Sequence, residues 1–219
     1  MTPCLDIHTH HPAPQPQAVI AVSLKEFLPL EGQRFSIGVH PWDSQQMPTA
    51  QDWADFEIKA SLPEVVAIGE CGIDKLKGGL LFKQLIVMNH QIEISEKLKK
   101  PLIIHNVKAH DVIVGLKRDL NPTQKWMVHG FRGKPTVAKM LTDAGIYLSF
   151  GEKFNPDTPR TVPQHMILAE TDDSLLSIEQ IIARLSDNLG RDVTDLIAAN
   201  TATFLYGSTL LSSDDEIDY

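Results

Sequence analysis

The chain has 219 residues, 42% of them hydrophobic and 22% charged, which suits a globular unit with one sizeable core. The formal net charge is −8, but Asp214, Asp215, Glu216 and Asp218 of the terminal "SSDDEIDY" supply half of it. The body is thus only mildly acidic, which argues against broad electrostatic capture of nucleic acid and leaves open a polyanion drawn in by bound cations. Two cysteines, Cys4 and Cys71, are too few for a disulfide framework. No apolar run approaches the ~18 residues of a membrane helix, and "MTPCLDIH" lacks a signal-peptide pattern. A reduced, cytoplasmic setting is expected.

Short runs rich in Val and Ile recur along the chain: "CLDIH" (4–8), "AVIAVSL" (18–24), "FSIGVH" (35–40), "EVVAIGE" (64–70), "PLIIH" (101–105), "WMVH" (126–129), "IYLSFG" (146–151) and "MILAET" (166–171). Bounded by Pro, Gly or Asn, they read as strands buried on both faces. Between them, residues 80–99 repeat a stripe at Leu81, Leu85, Met88, Ile92 and Ser95, which predicts a helix. Helices are also predicted over 108–118, 134–144, 177–189 and 192–206, the last closed by Gly207. Residues 9–17 and 152–163 are rich in proline and carry no apolar stripe, so no helix is expected there.

Eight strands alternating with helices predict a parallel α/β fold, and eight strands close a barrel. The expected architecture is a compressed or partly open (βα)8 TIM-type barrel lacking helices after its first and seventh strands. It is expected to fill residues 1–211 as a single unit, followed by an acidic, disordered tail at 212–219.

Five of the eight strand signals end in residues of metal-ligand type: His8 with His10, then Glu70, His105, His129 and Asp172. His-x-His puts two imidazoles on one side of an extended chain, which is half of a zinc- or manganese-type shell. Taken singly, each residue has an ordinary explanation: a core histidine bonded to a carbonyl, or a solvated loop carboxylate. In a parallel barrel, however, all strand C-termini open onto one face, so His8 and Asp172 converge despite their separation in sequence. Four histidines and two acids at one mouth are costly to bury without a cation. Of the other histidines, His11, His90 and His165 are expected on the surface and His110 at a helix start. His40 of "GVHPWD" lies near the mouth and is a candidate to support a ligand or face the substrate.

In these motifs the chain resembles the TatD family of metal-dependent hydrolases, within the amidohydrolase-like barrels. The resemblance runs through "DIHTH", "IGVHPWD", "AIGECGID", "PLIIHNVKAH", "VHGFRG", "LAETD" and "IAANTATFLYG". It implies a divalent-metal-dependent deoxyribonuclease with two metal ions (Mg, Mn or Zn). His8, His10, Glu70 and Asp172 would hold one ion, and Glu70, His105 and His129 the second. Glu70 would bridge the pair, and Asp172 would take the proton of the attacking water. The implied substrate is DNA or another phosphoester, with no obligate protein partner.

The chain also departs from the pattern. Val107 stands where members commonly carry an arginine, Lys75 replaces the tyrosine of "GLDY", Gly130 the cysteine of "HCF", and "TDxP" reads "TDDS". Other cations must then meet the phosphate, and Lys108 and Arg132 are the candidates beside ligand positions. Two alternatives stand beside the nuclease: a metal-dependent hydrolase of a small phosphomonoester, amide or lactone, and a metal-binding barrel without catalysis.

Overall fold

The computed structural model describes residues 3–11 and 17–207. Eight parallel strands follow one another around a single sheet: β1 (Asp6–Thr9), β2 (Ala18–Ser23), β3 (Arg34–Gly38), β4 (Val65–Asp74), β5 (Leu102–Val107), β6 (Trp126–Val128), β7 (Ile146–Phe150) and β8 (Ile167–Ala169). The barrel closes between β1 and β8 through one parallel bridge, Thr9 to Asp172. There the Asp172 N–H donates to the His8 carbonyl (3.0 Å) and the His10 N–H to the Asp172 carbonyl (3.2 Å). The seam of the barrel is therefore made by residues beside, or within, the expected ligand set.

The strands are nearly all buried, as their Val and Ile content requires, and one continuous apolar cluster joins them to the surrounding helices. Those helices are α1 (Ala50–Ala60), α2 (Leu81–Leu98), α3 (His110–Leu120), α4 (Pro135–Asp143), α5 (Ile178–Leu189) and α6 (Thr194–Tyr206). Gly207 follows α6 with a positive φ of 77°, as expected of a terminating glycine.

Three details depart from the sequence reading. Helix α1 was not foreseen: its apolar face is only Trp53, Phe56 and Ala60, too sparse to register as a stripe. Its sequence signal is the capping box of Thr49 and Asp52, in which each side chain bonds the other's backbone N–H. The crossover after β7 holds only short 3-10 turns, as expected, but residues 24–33 after β2 also form turns without a helix. The connection after β1 falls largely on residues 12–16, and the acidic tail on residues 208–219, all outside the described residues.

The third departure concerns α2. Leu81 is 41% exposed, while Gln84 and Gln91 are buried. The two glutamines act as grips. Gln84 accepts from the Asp74 N–H and donates to the Asp74 and Gly79 carbonyls, whereas Gln91 exchanges both its amide bonds with the Val39 backbone. They pin the chain beside His40 and at Asp74, two positions at the barrel mouth.

Candidate metal centre

The sequence places Glu70 at the end of a strand, yet β4 continues four residues beyond it, to Asp74. What presents Glu70 at the mouth is an irregularity in register: β4 spends three residues between Ile68 and Cys71 while β5 spends two between Leu102 and Ile104. Such a bulge re-aims a side chain within a strand. Two glycines make room for it. A Cβ on Gly38 would lie 2.5 Å from the Glu70 carbonyl oxygen, and one on Gly69, whose φ is 149°, 2.5 Å from that of Ile103. His105 also lies within its strand, His129 directly follows β6, and Asp172 follows β8 in the left-handed conformation (φ 53°).

The six expected ligands converge, and they divide around the two oxygens of Glu70. Oε2 faces His10 Nε2 at 3.3 Å and His8 Nε2 at 3.6 Å. Asp172 Oδ1 joins that side, 3.7 Å from His10 and 3.9 Å from His8. Oε1 faces His129 Nε2 at 2.7 Å and His105 Nδ1 at 2.8 Å. His40 also reaches Oε1, with Nε2 at 3.1 Å. Its Nδ1 accepts the Trp42 N–H at 3.1 Å, so the proton of a neutral imidazole sits on Nε2. His40 therefore donates to Glu70 and is not suited to ligate through that nitrogen.

Protonation follows from this crowding. Burial raises the Glu70 carboxyl, but the His129 charge and hydrogen bonds from His10, His105 and His129 outweigh it and hold the group well below the usual carboxylate range. Burial, reinforced by the His129 charge, pushes His8 well below the ordinary imidazole value. At His129 burial works downward too, but Glu70 and Glu170 prevail and raise it well above. Asp172 is raised, chiefly by burial and then by the charge of Glu170.

Three acids that sequence reasoning missed stand behind the expected ligands. Asp74, 3% exposed, has Oδ2 3.4 Å from His105 Nε2 and accepts the indole N–H of Trp42 at 2.7 Å. Its other oxygen accepts the backbone N–H groups of Leu76 and Lys77. Glu170, fully buried, accepts the Gly130 N–H and lies 3.7 Å from His129 Nδ1. Asp6, also fully buried, accepts from the Thr171 hydroxyl and from the His8 and Thr171 N–H groups, tying β1 to the "ETD" turn. The one signal for all three was an acid two residues before a ligand (Asp6, Glu170) or four after one (Asp74).

A cavity of about 400 Å³ opens over the centre, lined among others by His10, His40, Trp42, Glu70, His105 and Asp172. A second of about 400 Å³ lies on the other side of Asp172 and includes Arg132 and Lys153. Arg132 thus borders the site at one remove. Lys108 lines neither cavity and is exposed, so the expectation that it faces the substrate is not supported by its position. Lys75, in the place of the family tyrosine, pairs instead with Asp111 at 3.0 Å. Among the remaining histidines, His165 is exposed, but His11 is partly buried and 2.7 Å from the Ser174 carbonyl oxygen, and His90 lies against Trp53 (4.2 Å between ring centroids).

The donor set itself tests whether a metal fits. His8 is wholly buried and, among the described residues, neither of its ring nitrogens has a hydrogen-bond partner, a costly state for an imidazole unless a cation takes one of them. His, Glu and Asp atoms here form several groups within 4.8 Å of one another, among them His8–His10–Asp172 and His8–Glu70–His129.

Residues 23–201 match the family model described as TatD related DNase. The chain belongs to that family. The uncharacterized metal-dependent hydrolase YabD of Bacillus subtilis is 32% identical over 154 residues, a match covering 65% of this chain and 59% of that protein. The 3'-5' ssDNA/RNA exonuclease TatD of Escherichia coli (strain K12) is 34% identical over 113 residues, covering 51% of this chain and 43% of that protein. The matches thus span only about half of those curated relatives. In structure, YJJV, a TatD homolog from Escherichia coli k12, superposes with a TM-score of 0.77 at 18% identity, over 92% of this chain and 97% of that one. That likeness shows the fold: a barrel of TatD type.

Proposed function

We propose that this TatD-family barrel is a two-metal hydrolase of phosphodiester bonds, a nuclease acting on DNA. His8, His10, Glu70 and Asp172 would hold one divalent cation, and Glu70, His105 and His129 the other. The observation that carries the reading is the division of Glu70, with Oε2 toward His8 and His10 and Oε1 toward His105 and His129. A carboxylate so placed bridges two ligand sets. Four imidazoles beside two carboxylates suit Zn²⁺ or Mn²⁺ better than Mg²⁺, which prefers oxygen.

Such a pair of cations, when bound, would supply an activated water at neutral pH and charge neutralisation at the phosphate. The side chains do the rest. Asp172 Oδ1, beside His8 and His10 on the Oε2 side of Glu70, is the carboxylate placed to take the water's proton. His40 holds its Nε2 proton toward Glu70 and keeps that carboxylate oriented. Asp74, behind His105, fixes which imidazole nitrogen faces the site. No step calls on a protein partner or a membrane, in keeping with a cytoplasmic enzyme, and no helix among the described residues is long and apolar enough to cross one.

The test is metal analysis of the purified protein, followed by digestion of a DNA oligonucleotide with and without chelator. Two ions per chain and hydrolysis restored by Mn²⁺ or Zn²⁺ are expected. Hydrolysis confined to phosphomonoesters, amides or lactones would replace the nuclease reading with the small-molecule one. No metal-dependent hydrolysis of any ester or amide would leave a barrel that binds metal without catalysis.

A further inference from the structure

Among the described residues Trp42 is the one large aromatic that lines the first cavity, and it is 47% exposed. Exposed tryptophan is common enough to need no explanation alone. This one is held in place. Its indole N–H is committed to the buried Asp74 at 2.7 Å, its backbone N–H caps onto His40, and its ring meets those of His40 and His105 edge-on at centroid distances of 4.7 and 5.8 Å. Lys77 Nζ sits 4.4 Å from the ring centroid, a cation–π contact over one face.

Glu26, Asp43, Glu70, Asp172 and Asp173 line the cavity beside histidines, and among the described residues its apolar side chains besides Trp42 are the small Ala21 and Val22. Beside a phosphate placed at Glu70, Trp42 is therefore the broad flat surface, and it suits a planar, uncharged face. Resting on the phosphodiester reading above, we propose that Trp42 is a stacking platform for the nucleobase next to the scissile phosphate, with Lys77 as its companion cation. The base takes the ring face that Lys77 leaves, or displaces the lysine, whose ammonium then meets the neighbouring phosphate. Stacking of this kind tolerates any base, because every base has a π-face.

Trp42 also props Asp74, so the test must separate stacking from propping. Parent, Trp42→Phe and Trp42→Leu are compared on a thymidylate oligomer and on an abasic deoxyribose-phosphate oligomer of equal length. Both variants lose the bond to Asp74, but only phenylalanine keeps a ring. The kcat/KM ratio, thymidylate over abasic, should fall about tenfold in Trp42→Leu, mainly through KM for the thymidylate, and fall little in Trp42→Phe. Loss on both oligomers with an unchanged ratio would overturn the platform and leave Trp42 as a residue that positions Asp74. No loss on either would overturn it as well.

Emission of a Trp53→Phe protein, in which Trp42 is exposed and Trp126 fully buried, gives a readout without turnover. It should be quenched by the thymidylate oligomer and not by the abasic one. If the parent hydrolyses neither oligomer the phosphodiester reading fails, and quenching alone decides the platform: selective quenching supports it, and no selective quenching overturns it.

Discussion

The two sides of Glu70 are built differently. His105 and His129 each have a carboxylate behind them, Asp74 at 3.4 Å and Glu170 at 3.7 Å, and both acids are buried and anchored by backbone N–H groups. Among the described residues His8 has no hydrogen-bond partner at either nitrogen, whereas His129 lacks one only at Nδ1; His10 is 39% exposed, and Asp172 is placed by the backbone seam between β1 and β8. One half has a carboxylate facing the far nitrogen of each ring; the other is organised by closure of the barrel and by Asp6, which grips the His8 and Thr171 backbone. Outer carboxylates fix ring orientation and raise ligand basicity, so on the proposed two-metal reading the ions should bind unequally, the tighter beside His105 and His129.

The largest effect should come from the residue common to both halves. Glu70→Ala removes a donor from each ligand set and leaves four histidines around a hole. Metal analysis after dialysis should find neither ion retained at the parent's level, and hydrolysis should vanish. Unchanged stoichiometry would end the idea that Glu70 bridges. Asp172→Asn touches only the less supported half. One ion should be weakened and the other kept, with kcat down by roughly 10²–10⁴, the usual contribution of a positioned base. Loss of both ions together would show that the halves are not separate.

A finer division comes from the acids behind the ligands. Asp74→Asn should weaken the ion beside His105 by about 10–100-fold, with little change at the other, as measured by competition with a chromophoric chelator. Glu170→Gln should act mainly on the same ion through His129, with a smaller effect on the other half because Glu170 also stands beside Asp172. If either variant instead weakens the His8 and His10 half, the proposed order of affinities is wrong.

The sequence shows the barrel well because a parallel strand buried on both faces is almost pure Val, Ile and Leu, and eight such runs are plain. It shows all six expected ligands for the same reason: histidines and acids stand out at the margins of apolar runs. Their placement at strand ends was partly accidental, since Glu70 and His105 lie inside β4 and β5 and a bulge turns Glu70 to the mouth. A bulge is a local register event between two strands, and neither strand's own pattern reveals it. Asp74 and Glu170 were missed because an acid two or four residues from a ligand position is too common a spacing to stand out, and the histidine each one backs arrives from another strand. Gln84 and Gln91 were hidden differently, as polar residues on a buried helix face whose partners are backbone groups of distant loops. Of the stripe Leu81, Leu85, Met88, Ile92 and Ser95, only Leu81 in the first turn of α2 is exposed, and the two glutamines extend the buried face beside the others.

The smallest expected effect tests how far the active region extends beyond Glu70. Arg132 is exposed and lines the cavity on the far side of Asp172, so it meets only a substrate that crosses both cavities. The absence of the family arginine at Val107 makes such a cation more valuable, but an exposed contact is screened by solvent and salt. Arg132→Ala should therefore leave metal content and kcat alone, raise KM for DNA a few-fold, and reduce the slope of log(kcat/KM) against log[salt] by about one. Arg132→Lys should recover the salt slope but not the full KM, because an ammonium lacks the bidentate fork of a guanidinium. Identical kinetics for all three proteins at every salt concentration would confine the substrate to the cavity on the Trp42 side, and the unequal halves around Glu70 would then act on a ligand approaching from one direction only.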